Sequence, residues 1–127
     1  MDRMEECKAL RGDTEVHYNC AQAVLIPFRE VCGVDRETAR NLGAHFGSGM
    51  RCGGMCGAVT GALMVLGMAE ADEAATMALL RKFREKNGAL NCAELLKAAK
   101  DRGEARKPHC DRMVYDAVEL LEEQLAQ

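Results

Sequence analysis

Seven cysteines in a chain of 127 residues are the side chains best suited to chemistry. They stand at positions 7, 20, 32, 52, 56, 92 and 110. The thiolate form of cysteine binds soft metals and attacks disulfides, so metal binding and thiol redox chemistry both become candidates. The N-terminal segment is charged and lacks the apolar core of a secretory signal, which predicts a cytoplasmic protein. Structural disulfides are disfavoured there, which leaves metal ligands, redox thiols and inert buried thiols as explanations.

Four of these cysteines stand where helices are predicted to begin. Cys20 and Cys92 each follow an asparagine, a preferred N-cap residue, while Cys56 follows a glycine pair and Cys110 follows a proline by two positions. Each also begins the apolar stripe of its helix, which predicts that it faces inward. Alternate helices of a bundle run parallel, so their N-termini gather at one end. We therefore expect the four thiols to converge, with the helix ends favouring their thiolate forms.

Converging thiolates allow three functions. Cys20, Cys56, Cys92 and Cys110 form the ligand set of an iron–sulfur cluster, most simply [2Fe–2S], and this is the first hypothesis. The second is a metal-free thiol–disulfide protein that uses the same cysteines and relies on exchange between Cys52 and Cys56. The third is a structural zinc site, or buried thiols, in a helical interaction module. Cys7 and Cys32 lack the capping context and are interpreted as packing residues.

The stretch MRCGGMCG, residues 50–57, adds further candidates. Gly53 and Gly54 are expected to expose backbone N–H groups to an anion or to cluster sulfurs, and Gly57 is a third candidate for cofactor binding. Cys52 lies four residues before Cys56, so the two share a face if the helix begins early. If the glycines form a loop, Cys52 is instead an exposed thiol that could resolve a disulfide or serve as a spare ligand.

The elements that position these residues are predicted to be helices. Aromatic residues make up only 4% of the chain, and no segment shows the alternation of a strand. We expect one all-α domain, 1–127, built as a bundle of about five to seven helices. The predicted segments are 2–10, 20–32 with a break near Val24 caused by Pro27, 35–46, 54–69, 72–87, 92–100 and 109–125.

The segment 52–69 carries no charge over 18 positions, which reaches the lower limit for a membrane span. Glycines crowd its first ten residues, so we interpret it as a buried central helix, rich in Gly and Ala, and expect no membrane contact. A net charge of −3 without a basic cluster gives no footprint for nucleic acid. The expected partner is a redox protein of unknown identity, and a homodimer is conceivable if the uncharged face is incompletely covered.

The cysteine layout resembles a known family, the "putative redox-active" C_GCAxxG_C_C proteins. The matching pieces are Cys20 in YNCAQAV, Cys56 in CGAVTG, Cys92 in NCAELL and Cys110 in HCDRMVYDAVELL, which together span about residues 16–122. The resemblance implies a small prokaryotic cytoplasmic protein with redox activity. Relatives joined to haem-bearing electron-transfer regions favour the iron–sulfur centre. Cys7, Cys32 and Cys52 lie outside the family's four-cysteine pattern.

Overall fold

A computed structural model describes residues 2–126, and this part of the chain holds eight α-helices and no β-strand. The all-α prediction is confirmed. The helices are α1 Arg3–Arg11, α2 Cys20–Leu25, α3 Arg29–Cys32, α4 Arg36–Gly43, α5 Gly57–Met68, α6 Glu73–Asn87, α7 Cys92–Asp101 and α8 Arg106–Leu125. None of them combines the length and the apolar character needed to cross a bilayer.

The helix count exceeds the expected five to seven because the predicted segment 20–32 is divided at its proline. α2 ends at Leu25, a single 3-10 turn covers Ile26–Phe28, and α3 follows. Pro27 lacks the N–H that would continue the α-helical bonding, and its ring crowds the carbonyl four residues earlier. The break therefore falls just after the predicted position near Val24.

α5 is the central helix, as predicted, and it packs against α2, α8, α3 and α6. Its buried residues are mostly small or β-branched: Gly57, Ala58, Val59, Gly61, Ala62, Val65 and Leu66. It begins at Gly57 rather than near 54, because residues 48–53 take up backbone conformations that cannot join a right-handed helix. Cys52 and Cys56 therefore do not share a helix face.

Glycine allows α2 to lie directly against α5. A Cβ atom added at Gly57 would stand 2.6 Å from the carbonyl oxygen of Phe46 and 3.2 Å from Cβ of Cys20. One added at Gly61 would stand 3.1 Å from the Ala21 oxygen and 3.2 Å from Cβ of Val24. This close approach holds the first residue of α2 beside the beginning of α5.

Asparagine caps fix the beginnings of α2 and α7, as predicted. The Asn19 side chain accepts the Gln22 N–H at 2.8 Å, and the Gln22 side chain accepts the Asn19 N–H at 2.9 Å, which is a complete capping box. Asn91 accepts the N–H of Ala93 at 3.0 Å. The cysteine after each cap is consequently the first residue of its helix.

The last helix begins earlier than predicted, at Arg106 instead of residue 109. Pro108 therefore lies inside its first turn, where the missing N–H costs nothing because first-turn N–H groups have no intrahelical partner. Cys110 is the fifth residue of α8 and not a helix-starting cysteine. The charged loop between α7 and α8 is correspondingly short, residues 102–105.

The α2–α5 contact gives a stability prediction with a matched control on the same helix. Gly61→Ala should lower the free energy of unfolding by about 1–3 kcal/mol, because the new methyl meets backbone that must shift. Gly67→Ala should raise it by about 0.5–1 kcal/mol, because nothing lies within 4 Å of the added Cβ and alanine reduces the freedom of the unfolded chain. Urea denaturation followed by circular dichroism measures both, and equal effects at the two positions would contradict the close approach.

Candidate functional site

One cavity of about 590 Å³ is lined by all four of the cysteines at 20, 56, 92 and 110. Its walls come from the end of α1, the irregular segment 13–19, the beginnings of α2, α5 and α7, and the first turns of α8. We call it the cysteine cavity. The structure thus brings together four thiols that are far apart in the sequence.

Cys20 and Cys56 are held by the packing of α2 against α5. Cys20 is partly buried at the first position of α2. Cys56 is the N-cap residue of α5, is 4% exposed, and donates its N–H to the Leu90 oxygen at 2.8 Å. That bond ties the beginning of α5 to the residues that precede α7.

Cys92 is held by a loop of unusual backbone conformation. Ser48, Gly49, Met50 and Arg51 all have positive φ, between 53° and 62°, so the chain makes a left-handed turn there. Such a conformation costs non-glycine residues about 1–2 kcal/mol each. A Cβ at Gly49 would lie 2.8 Å from Cβ of Cys92, so glycine is required for the loop to approach α7.

The three glycines predicted to bind a cofactor do not all line the cavity. Gly57 lines the cavity, whereas Gly53 and Gly54 are absent from its walls in the described chain. The Gly54 N–H donates to the Gly49 oxygen at 2.8 Å, and its carbonyl accepts the Cys92 N–H at 2.6 Å. Both backbone hydrogen-bonding groups of Gly54 are therefore already paired, and its carbonyl oxygen helps to hold Cys92 in position.

Cys110 and Cys20 line the same cavity, and the interaction between their two side chains is the largest influence on the pKa of each thiol. This interaction lowers the pKa of Cys110 to about 6, against the opposing effect of burial, and the guanidinium groups of Arg11 and Arg106 contribute to the shift. The same interaction raises the pKa of Cys20, and burial adds to the rise. Of the two thiols, Cys110 is therefore the one that more readily becomes a thiolate.

The other two cavity cysteines remain protonated. Burial raises the pKa of Cys56 to about 11, although the backbone N–H groups of Ala58 and Val59 act in the opposite direction. Burial also raises the pKa of Cys92, and the nearby Cys110 adds to this. The N–H groups at the beginning of α5 thus favour the Cys56 thiolate, as expected, but desolvation outweighs them.

Arg11 and Arg106 are site residues that the sequence did not reveal. Arg11 is 7% exposed, and its guanidinium donates to Asp111 at 2.7 Å and to the Tyr18 carbonyl at 2.8 Å. Arg106 donates to the Ser48 hydroxyl at 2.8 Å. In the sequence, Arg11 is an ordinary cation before a helix-ending glycine. Its partner Asp111 on α8 is 100 residues away, so no local sequence pattern indicates the ion pair.

The remaining cysteines lie outside the cavity wall. Cys7 and Cys32 are buried in the core, as predicted, and burial raises the pKa of Cys7 to about 12. Cys52 is exposed, with its Sγ 3.5 Å from the Gly49 oxygen. All seven cysteines are free thiols.

A metal site requires several ligand side chains to lie around one point in the cavity. Within residues 2–126, no three Cys, His, Asp or Glu side chains are arranged so that together they could hold a metal ion. The donor set has the right chemistry for a cluster or for zinc, but the side chains as placed do not fit either group. Their assignment as metal ligands stays a prediction.

A family model described as "Putative redox-active protein (C_GCAxxG_C_C)" matches residues 18–124. The chain belongs to this family. The matched range contains all four cavity cysteines, so the resemblance inferred from the sequence is confirmed, and the C_GCAxxG_C_C description supports redox activity. No curated protein and no solved structure matches the chain.

The thiol pair predicts a pH profile for this C_GCAxxG_C_C protein. Because only the thiolate is alkylated, labelling of Cys110 by iodoacetamide should be complete above a midpoint near pH 6 and should fall below it. Cys20→Ala removes the thiol that most lowers the pKa of Cys110 and should move the midpoint up by at least one pH unit. Cys32→Ala removes a buried thiol outside the cavity and is the matched control. Peptide mass spectrometry measures the labelling, and a midpoint unchanged in Cys20→Ala would contradict the pair.

Proposed function

We propose that this protein carries out thiol–disulfide exchange with Cys110 as the attacking sulfur and Cys20 as the resolving sulfur. The observation that carries the proposal is that both side chains line the cysteine cavity, where each has the largest influence on the pKa of the other. Both are partly exposed, so a substrate sulfur can reach them. An exchange site needs one accessible thiolate and a second thiol within reach of the first.

The reaction proceeds in two balanced steps. The Cys110 thiolate attacks one sulfur of a substrate disulfide, forming a mixed disulfide and releasing the other substrate sulfur as a thiolate. Cys20 then gives its proton to the released substrate thiolate and attacks Sγ of Cys110, forming the Cys20–Cys110 disulfide and releasing the second substrate sulfur as a thiolate. The protein dithiol loses two electrons, the substrate disulfide gains them, and the reverse reaction with a dithiol reductant regenerates the protein.

The surroundings of Cys110 support the role of attacking sulfur. Arg106 and the buried guanidinium of Arg11 line the same cavity as Cys110, and the positive charge of each lowers the pKa of that thiol. The charge on Arg11 is in turn fixed in place by Asp111. A positively charged environment is characteristic of reactive cysteines, whereas Cys56 is buried and lacks such partners.

An iron–sulfur centre for electron transfer is the second candidate, and one observation favours it: four thiols line a single cavity. Cys20, Cys56, Cys92 and Cys110 would be its ligands, and zinc would use the same set. Either group requires these side chains to move from their present positions. The exposed Cys52 is a further candidate in both functions. In thiol–disulfide exchange it would be a redox thiol that resolves a disulfide, and in a metal site it would be a spare ligand.

The decisive experiment equilibrates anaerobically purified protein with dithiothreitol redox buffers, traps free thiols by alkylation, and maps the peptides. We expect two thiols to be lost together and one disulfide to join Cys20 to Cys110. Cys110→Ser should abolish it, and Cys20→Ser should trap a mixed disulfide on Cys110. Cys92→Ser, which removes another partly buried thiol of the same cavity, should leave the disulfide intact.

Iron and acid-labile sulfide are measured on the same preparation. Two or four irons per chain, with the cavity thiols protected from alkylation until the iron is removed, would overturn the proposal in favour of the second candidate. A wild-type disulfide that joins Cys52 to Cys56 would also contradict it. The pairing and the metal content together decide between the two functions.

A further inference from the structure

We propose that the disulfide received by the cysteine cavity is a small molecule that carries carboxylate groups, with Arg11 and Arg106 binding a carboxylate beside the reacting sulfur. This inference rests on the thiol–disulfide function proposed above and names the substrate class for it.

The size and depth of the cavity favour a small molecule. A volume of about 590 Å³ lies within the range of small-molecule pockets. Cys110 and Cys20 are only partly exposed, and the segment 13–19 contributes to the wall around them. A disulfide inside a folded protein would have to enter this recess, whereas a free small disulfide can occupy it entirely.

Two guanidinium groups lie beside the attacking sulfur. Arg11 and Arg106 are the cations that act most strongly on Cys110. In Arg11, Nε and Nη1 donate to Asp111 and to the Tyr18 carbonyl, and the described chain supplies no acceptor for Nη2. Arg11 is more than nine-tenths buried and lines the cavity, so its remaining amino group is available to an anionic ligand. A carboxylate is the acceptor that a guanidinium fork matches best.

The carboxylates of the cavity region already have partners or face solvent. Asp13 and Glu15 line the cavity at exposed positions, and the Asp13 carboxylate accepts the N–H groups of Glu15 and Val16, at 2.8 and 2.9 Å. Asp111 is paired with Arg11 at 2.7 Å and with Lys107 at 3.1 Å. The charged groups that act most on Cys110 are the two arginines, although the chain as a whole carries −3. A preference for anions has to come from this cavity, because the overall charge would repel them.

The test measures the rate at which the reduced protein is oxidised by three small disulfides: anionic 3,3′-dithiodipropionate, neutral bis(2-hydroxyethyl) disulfide and cationic cystamine. Each rate is divided by the rate of dithiothreitol with the same reagent. We expect the anionic reagent to exceed the cationic one by roughly three- to tenfold after this correction. The ratio should fall towards one in 0.5 M salt, because salt screens the guanidinium charge.

Arg106→Gln should bring the ratio close to one, and Arg106→Lys should retain most of it. The matched control is Arg81→Gln, which removes the same charge from an exposed position on α6 and should leave the ratio unchanged. The ratio isolates recognition, because any change in the nucleophilicity of Cys110 affects all three reagents. An equal fall in Arg81→Gln would overturn the inference by showing that only net charge matters.

The outcomes separate this inference from the proposed function. If all three reagents give the Cys20–Cys110 disulfide at equal corrected rates, the substrate class is wrong and the function stands. If none of them gives that disulfide, the function itself fails. Faster oxidation by insulin than by dithiodipropionate would overturn the inference in favour of a protein disulfide as substrate.

Discussion

The direct packing of α2 against α5 is the constraint on which the rest of the structure depends. Gly57 and Gly61 leave no side chain between the two helices, so the backbone of α2 lies within van der Waals distance of α5. This contact places Cys20 beside the beginning of α5, where Cys56 is the N-cap residue. α8 packs against both helices and brings Cys110 to the same point. The cysteine cavity lies where the beginnings of α2 and α5 meet the first turns of α8.

The fold was predictable where the sequence carries local signals. Asparagine caps, helix-stopping glycines and an uncharged Gly- and Ala-rich segment predicted the beginnings of α2 and α7, the end of α6 and the central position of α5. The boundaries near Pro108 and Gly54 were wrong for physical reasons. A proline is accepted inside a first turn, and the left-handed loop before Gly57 depends on contacts with α7 that are remote in the sequence.

The candidate site was predictable only in part. The shared inward register of the cysteines indicated that four thiols would meet, because helix periodicity decides which face of each helix is buried. Their pKa values were not predictable, because they depend on burial and on the interaction between Cys20 and Cys110, which are 90 positions apart. Arg11 acquires its role through Asp111, a tertiary ion pair that no local pattern encodes.

The proposed function requires Cys20 and Cys110 to form a reactive pair within a four-cysteine cavity. A crystal structure of the reduced protein, grown without oxygen and examined by anomalous scattering at the iron edge and for sulfur, would check this. We expect four sulfur peaks around one cavity, with those of Cys20 and Cys110 in contact and no iron peak among them. An iron peak bonded to these sulfurs, or a Cys110 sulfur turned away from Cys20, would contradict it.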